Sequence, residues 1–199
     1  MKQMQPLHTR LTAPSPRATI VGTGLLTLDV VIGHERSAQR LLAGGTCGNV
    51  LTILSYLGWD AYPVSRLNGD VAAEHVVRDL RRWKVHLDFA RLAPGGSTPI
   101  IVHQIGRTKQ GQAFHRFSWT CPQCGAWLPP YKAALANAVQ DVLTRIHEPR
   151  VFFFDRLSRG ALMLAKDCAA KGALVVFEPG GIGDPGLFAE AIATTHVLK

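Results

Sequence analysis

The sequence lacks the short motifs that mark several large enzyme classes. It contains no G-x-x-x-x-G-K-[ST] loop for nucleotide phosphates and no G-x-S-x-G elbow for a catalytic serine. The run Gly22-Thr23-Gly24 lacks the third glycine of a dinucleotide-binding fingerprint. These absences argue against a P-loop nucleotide hydrolase, an α/β-hydrolase and a dinucleotide-dependent dehydrogenase.

Long apolar runs are absent and cysteines are few. No stretch of about eighteen apolar residues is present, so no membrane span is predicted. The four cysteines, two of them inside apolar helical patterns, do not form a disulfide framework, and a reducing cytoplasm is the expected compartment. Residues 1–17 contain three prolines and no apolar core segment, which predicts a flexible leader rather than a signal peptide.

Acidic residues are few relative to basic ones. The 199 residues include 22 Lys and Arg against 14 Asp and Glu, a formal net charge of +8. Such an excess attracts nucleotides and phosphorylated metabolites at long range. The basic residues are dispersed and form no dense stripe interleaved with aromatics, so nucleic-acid binding is disfavoured.

The chain does contain a regular alternation of strand-like and helix-like segments. Apolar β-rich runs predict strands at residues 18–24 continuing to 32, and at 61–67, 151–154, 173–177 and 195–198. Apolar-periodic segments predict helices at residues 46–58, 71–83, 132–146, 157–171 and 185–193. This alternation predicts an α/β fold over residues 18–199, a three-layer sandwich with a mostly parallel central sheet.

Other segments do not fit that sheet and predict a small β lid. Residues 99–105 and 112–119 flank a polar loop and predict a hairpin. The lid strands are therefore expected at about 32–42 and 99–119, followed by a cysteine-containing insertion at 120–130. The last residues lie in or just past a predicted strand, so we expect the chain to be a truncated one.

A glycine turn opens the first predicted helix. Gly44 and Gly45 end an extended run, and Asn49 falls in the first turn of the helix that follows. Paired glycines let the backbone approach a ligand closely or take positive φ, and the N–H groups of a helix start favour oxygen-rich ligands. A tight loop needed only for chain reversal is the alternative.

Three acids follow or interrupt apolar strands. Asp29 is a lone acid in an extended run, Asp155 follows a fully apolar strand, and Glu178 follows the next one. In open α/β sheets ligands bind outside the carboxyl ends of the strands, where acids suit sugar hydroxyls or hydrated Mg²⁺. Asp29 could instead face water at an edge, and Asp155 could cap the next helix.

The run Cys121-Pro122-Gln123-Cys124-Gly125 has the form of a metal knuckle, in which two thiolates on one turn bind zinc. A closed site needs four ligands, and no second Cys-x-x-Cys is present. His103, His115 or a second subunit are conceivable sources of the others. The alternative is a structural turn without metal, so zinc remains possible and no metal ligand is assigned.

These features together resemble the ribokinase-like (PfkB) family of carbohydrate and nucleoside kinases, from about residue 18 to residue 199. Residues 22–29 are similar to the family's first strand with its substrate-binding Asp, here Asp29. Gly44, Gly45 and Asn49 are similar to its N-terminal signature, and Asp155 falls where an acidic substrate contact occurs. The cysteine run is not general to the family.

The resemblance implies transfer of the γ-phosphoryl group of ATP, with Mg²⁺, to a hydroxyl of a sugar or nucleoside. It implies substrate contacts from Asp29, Gly44, Gly45, Asn49 and Asp155. The family's Gly-Ala-Gly-Asp motif, which carries the catalytic base, is absent, so no catalytic residue is assigned. The chain is then expected to be the substrate-binding and lid portion of a kinase, and inactive by itself.

A second hypothesis keeps the scaffold but not the catalysis. The chain could be a binding or regulatory protein whose cysteine run forms a zinc-stabilised interaction surface. The resemblance also implies a possible homodimer through the lid. The identity of the sugar is left open.

Overall fold

The computed structural model describes residues 17–33 and 39–199. The leader predicted at residues 1–17 therefore lies almost entirely outside the described residues. The described part contains ten strands and five helices. In chain order these are β1 (Thr19–Thr23), β2 (Thr27–Ile32), β3 (Gln39–Gly44), α1 (Thr46–Tyr56), β4 (Asp60–Leu67), α2 (Val71–Arg82), β5 (Ala90–Leu92), β6 (Ile100–Arg107), β7 (Ala113–Ser118), α3 (Ala136–Arg145), β8 (Val151–Phe154), α4 (Arg159–Ala170), β9 (Leu174–Phe177), α5 (Pro185–Thr194) and β10 (Val197–Leu198).

The larger sheet has six strands in the order β10-β9-β8-β1-β4-β5, and its paired strands are all parallel. Successive side chains of a strand point to opposite faces, so the two faces need separate cover. Ile20 and Phe153 pack with α1 on one face. Val21, Phe152 and Phe154 pack with α3, α4 and α5 on the other. The predicted three-layer α/β sandwich is confirmed.

The smaller sheet has four strands in the order β3-β2-β6-β7 and corresponds to the predicted lid. β2 pairs antiparallel with β3 and parallel with β6, and β6 and β7 form the predicted hairpin. Leu28 and Val30 point to one face of this sheet and pack against Val76 and Leu80 of α2. Asp29 belongs to the opposite face because side chains alternate along β2.

The first strand differs from its prediction. Residues 18–32 were expected as one strand, but β1 ends at Thr23 and β2 begins at Thr27 in the other sheet. The break falls at Gly24, whose φ of 139° favours glycine and turns the chain between the sheets. Asp29 therefore lies in the lid, not at a strand end of the larger sheet.

Other boundaries differ by smaller amounts. The lid strand expected at about 32–42 is β3, and β2 precedes it in the same sheet, while residues 34–38 lie outside the described residues. The helix expected at 132–146 begins only at Ala136. None of the described helices is both long and apolar enough to cross a membrane.

Candidate functional site

The predicted glycine turn joins the lid to the larger sheet. Gly44 is the last residue of β3, and Gly45, with a φ of 82°, is the N-cap of α1. A Cβ on Gly45 would overlap the carbonyl oxygen of Leu25, and the N–H of Gly48 donates to that same oxygen at 3.2 Å. Glycine is therefore required here both by the backbone angle and by the close packing of two chain crossings.

Asp29 lies against this turn. A Cβ on Gly44 would overlap its carboxylate, so the missing side chain of Gly44 makes the room that the acid occupies. The hydroxyl of Thr27 donates to Asp29 Oδ1 at 2.5 Å. The Asp29 side chain is 13% exposed, which leaves it open to a small polar ligand. The structure thus brings Asp29, Gly44 and Gly45 together.

Two histidines extend from Asp29 across the same face of the lid. His103 Nε2 is buried and lies 3.3 Å from Asp29 Oδ2, an electrostatic contact without good hydrogen-bond alignment. His103 Nδ1 lies 3.1 Å from His115 Nε2, and Phe117 packs edge-on against the His103 ring. The sequence suggested these histidines only as partners of the cysteines. His103 and His115 could have been placed on one face of the lid from the alternation of side chains along β6 and β7. That placement also requires the pairing of β6 with β2, which the sequence does not give.

Asp155 occupies the carboxyl end of the larger sheet. Thr23 and Phe154 are paired in neighbouring parallel strands, so the next residues, Gly24 and Asp155, meet, and a Cβ on Gly24 would overlap the carboxylate. The N–H of Leu25 donates to Asp155 Oδ1 at 2.7 Å and the N–H of Cys47 donates to Oδ2 at 3.1 Å. The acid therefore ties the start of α1 to the β1–β2 connection.

Burial is the largest influence on the pKa of Asp155. The residue is 1% exposed, and the loss of hydration raises its pKa, against the lowering effects of the Leu25 N–H, Arg156 and the Cys47 N–H. The carboxylate accepts its hydrogen bonds from backbone N–H groups. Asp155 does not cap the next helix, because the N-cap of α4 is Ser158. The predicted contact of Asp155 with a substrate stays a prediction.

Two residues near Asp155 were not selected as site residues from the sequence. Burial raises the pKa of the Tyr131 hydroxyl, and the neighbouring Cys47 and Asp155 add to the rise. Arg156 donates to the carbonyl of Asp155 at 2.8 Å and lines a cavity of about 340 Å³ beside residues 180–184. Tyr131 could not be chosen from the sequence, because it reaches the site from an irregular segment after the cysteines.

The remaining candidates are Asn49 and Glu178. Asn49 is exposed in the first turn of α1, four residues after Gly45. Glu178 forms an ion pair with Lys199, with both carboxylate oxygens 3.0 Å from Nζ. Asp155 and Glu178 follow the paired residues Phe154 and Phe177 and so lie at neighbouring strand ends of the larger sheet, whereas Asp29 lies on a strand of the lid.

The cysteine run forms a tight turn after the lid. Backbone N–H groups of Cys124 and Gln123, together with the Cys124 side chain, hold the pKa of the Cys121 thiol below its usual range. Within residues 17–33 and 39–199, no three His, Cys, Asp or Glu side chains come together in a group that could hold a metal ion. His103 contacts Asp29, and His115 contacts His103.

The fold is similar to those of solved sugar kinases. Arabidopsis thaliana ribokinase complexed with ribose and ATP matches at a TM-score of 0.65 and 20% identity, over 92% of this chain and 59% of that one. The 2-dehydro-3-deoxygluconokinase of Thermotoga maritima matches at 0.66 and 17%, over 92% and 58%. Fructokinase with bound ATP from Xylella fastidiosa matches at 0.60 and 15%, over 90% and 56%.

No family model matches the sequence, and no curated protein does. At such low identities the structural likeness establishes the fold alone. The chain has the ribokinase-like α/β fold, and the resemblance predicted from its motifs is confirmed at that level. The chain spans about three fifths of the length of these solved structures.

Proposed function

We propose that this chain is the acceptor-binding and lid portion of an ATP-dependent carbohydrate kinase of the PfkB type. The observation that carries the proposal is the placement of Asp29 on a lid strand, against Gly44 and beside the start of α1. A carboxylate that is partly open to solvent can accept hydrogen bonds from two neighbouring sugar hydroxyls. The names of the structurally similar proteins support a sugar as the acceptor.

In this proposal each residue has a physical task. Asp29 orients the acceptor through its hydroxyls, and His103 holds the carboxylate in place. Gly44 makes room for the Asp29 carboxylate and Gly45 lets α1 start against the Leu25 carbonyl, while Asn49 donates and accepts from the exposed turn of α1. Asp155 accepts two backbone hydrogen bonds and so fixes the start of α1 against the β1–β2 connection. Its proposed contact with the sugar is made from this position. Closure of the lid over the acceptor excludes water.

ATP and Mg²⁺ enter the proposal as the phosphoryl donor and its counter-ion, which neutralise and position the transferring group. Among the described residues no group of three His, Cys, Asp or Glu side chains comes together. We assign no residue of this chain to ATP or Mg²⁺. In this proposal, residues outside this sequence hold the donor and deprotonate the acceptor hydroxyl. The proposal also includes a cytoplasmic location.

Isothermal titration calorimetry with D-ribose, D-fructose, 2-dehydro-3-deoxygluconate and adenosine tests the acceptor site directly. We expect at least one to bind, and Asp29→Asn to weaken that binding by about tenfold or more, since hydrogen bonds to a charged group contribute about 1.5–3 kcal/mol. Asp60→Asn is the matched control, because Asp60 begins β4 and pairs with His86 away from the lid.

Failure of all four compounds to bind, or equal binding by Asp29→Asn, would contradict the proposal. ATP turnover by the 199-residue chain with a bound sugar would contradict the part that places the catalytic groups elsewhere. Sugar binding by this chain, combined with no turnover by any longer chain that includes it, would favour a non-catalytic binding protein on the same scaffold.

A further inference from the structure

The segment after the lid is a tight turn that presents two thiols. Its ends are joined where Thr120 bridges Trp127, and the N–H of Cys121 donates to the carbonyl of Ala126 at 2.8 Å. The N–H of Gly125 donates to the carbonyl of Cys121 at 2.9 Å, with Gly125 at a φ of 72°. This turn, residues 120–127, is called the cysteine knuckle below.

The knuckle is closed by its own backbone hydrogen bonds. Its Cys-x-x-Cys spacing on a tight turn is that of turns that place two thiolates on one structural zinc ion. Neither cysteine is buried in the core, in contrast to Cys47 and Cys168.

The knuckle by itself supplies half of a zinc coordination shell. Structural zinc is almost always bound by four ligands in a tetrahedron. Over the part of the chain that the structure describes, no third His, Cys, Asp or Glu joins the pair. A second copy of the chain can supply the two ligands that this pair lacks among the described residues.

The surface around the knuckle suits a second copy of this chain. Residues 122–127 are all exposed, and the side chain of Trp127 is 83% exposed, although it is a large apolar group. The stretch from Phe117 to Tyr131 contains no charged residue, in a chain of net charge +8. The like charges that meet when two identical knuckles approach about a two-fold axis are then the thiolates, which the zinc ion neutralises, and the contact would cover Trp127.

We infer that Cys121 and Cys124 form one half of a four-thiolate zinc site that a second copy of this chain completes. The two-fold axis passes through the metal, and each copy contributes the same two sulfurs. Binding forms four Zn–S bonds, and the four thiol protons leave to solvent, so no oxidant or reductant is needed. This site is independent of the proposed sugar site, since it uses none of the residues around Asp29.

Zinc content and molar mass, measured on the full chain purified with zinc, test the inference. We expect about one zinc for every two chains, a dimer by light scattering, and dissociation to monomers when a chelator removes the metal. X-ray absorption at the zinc edge should show a sulfur-only shell at about 2.3 Å. A monomer with zinc, a metal-free dimer, or a shell containing nitrogen would overturn the inference.

Single substitutions distinguish the loss of the metal ligands from a change in the turn itself. Cys121→Ser and Cys124→Ser should each lose zinc and the dimer together, whereas Gln123→Ala, in the same exposed turn, should keep both. Far-UV circular dichroism shows whether each variant is folded. A folded Cys124→Ser that keeps the zinc-dependent dimer would overturn the inference, as would loss of zinc from Gln123→Ala.

Discussion

Gly44 lies so close to the carboxylate of Asp29 that even a methyl group would displace the acid. We predict that Gly44→Ala loses sugar affinity by about tenfold or more, since Asp29 must move, and that it costs about 1–3 kcal/mol of unfolding free energy through overpacking. Calorimetry of sugar binding and urea unfolding measure the two effects.

Gly69→Ala is the matched control for that change. Gly69 is exposed, and a Cβ there meets nothing within 4 Å. It should therefore leave both sugar affinity and stability close to those of the parent chain. If Gly44→Ala binds sugar as the parent does, Asp29 is not held by the turn in the way that we describe.

Asp155 gives the fold a pH dependence with a definite sign. Burial raises its pKa above the usual 3.8, so the folded protein binds this proton more tightly than the unfolded chain does. The protonated acid therefore favours folding, and this contribution is lost as the pH rises through the raised pKa. We predict that the stability of the parent chain falls relative to Asp155→Asn over that range, by about 1.4 kcal/mol for each unit of pKa difference.

Urea unfolding of both proteins at a series of pH values from about 4 upward measures this trend. Asp88→Asn is a suitable comparison because that side chain is 41% exposed and has little burial to lose. A difference between parent and Asp155→Asn that grows in the parent's favour as the pH rises would contradict the prediction.

At the scale of elements, the lid joins Asp29 on β2 to His103 on β6 and His115 on β7. The parallel pairing of β2 with β6 sets Val31 opposite His103, which brings the His103 ring diagonally to Asp29 on one face. We predict that His103→Ala weakens sugar binding several-fold, because the Asp29 carboxylate loses the ring nitrogen that lies 3.3 Å from its Oδ2. His103→Gln should restore much of the affinity, since its amide can donate to the carboxylate.

The matched control is His86→Ala, which removes another His–Asp contact, 3.1 Å between His86 Nε2 and Asp60 Oδ1. That contact lies at the amino end of β4, so sugar affinity should not change. Titration calorimetry gives the affinities and urea unfolding gives the stabilities. Equal loss of affinity in the two alanine variants would show that a general loosening of the fold, rather than orientation of Asp29, is responsible.

At the scale of the whole molecule, the two sheets differ in how deeply they are buried. β8 lies between β9 and β1 and has three buried phenylalanines, whereas β7 is an edge strand of the lid with mostly exposed side chains. Regions with few buried apolar contacts open at low free energy. We predict that the amides of β7 exchange with solvent well before those of β8, and that a bound sugar slows exchange in β2 and β3.

Hydrogen exchange followed by mass spectrometry measures both effects on the same peptides. Equal protection of the β7 and β8 amides from exchange would contradict the first of these two predictions. A sugar that binds by calorimetry but leaves exchange in β2 and β3 unchanged would contradict its placement at the lid.

The larger sheet was the most predictable part of the fold. Segments such as Val151–Phe154 and Leu174–Phe177 are short apolar runs bounded by helical periodicity, and local patterning fixes their type. The boundary between β1 and β2 was not predictable, because a β-rich run from residue 18 to residue 32 carries no local sign that its two halves join different sheets. β5 was missed because a three-residue strand has too little pattern.

The sequence by itself determined the fold class, the glycine turn and the acids that follow apolar strands, because these depend on residue type and spacing. Tertiary structure decided what the acids do. Asp155 is buried on backbone N–H groups because two parallel strands end side by side, and Asp29 faces the lid histidines because β2 pairs with β6. Such contacts join residues that are far apart in the chain, and only the packing of sheets and helices brings them together.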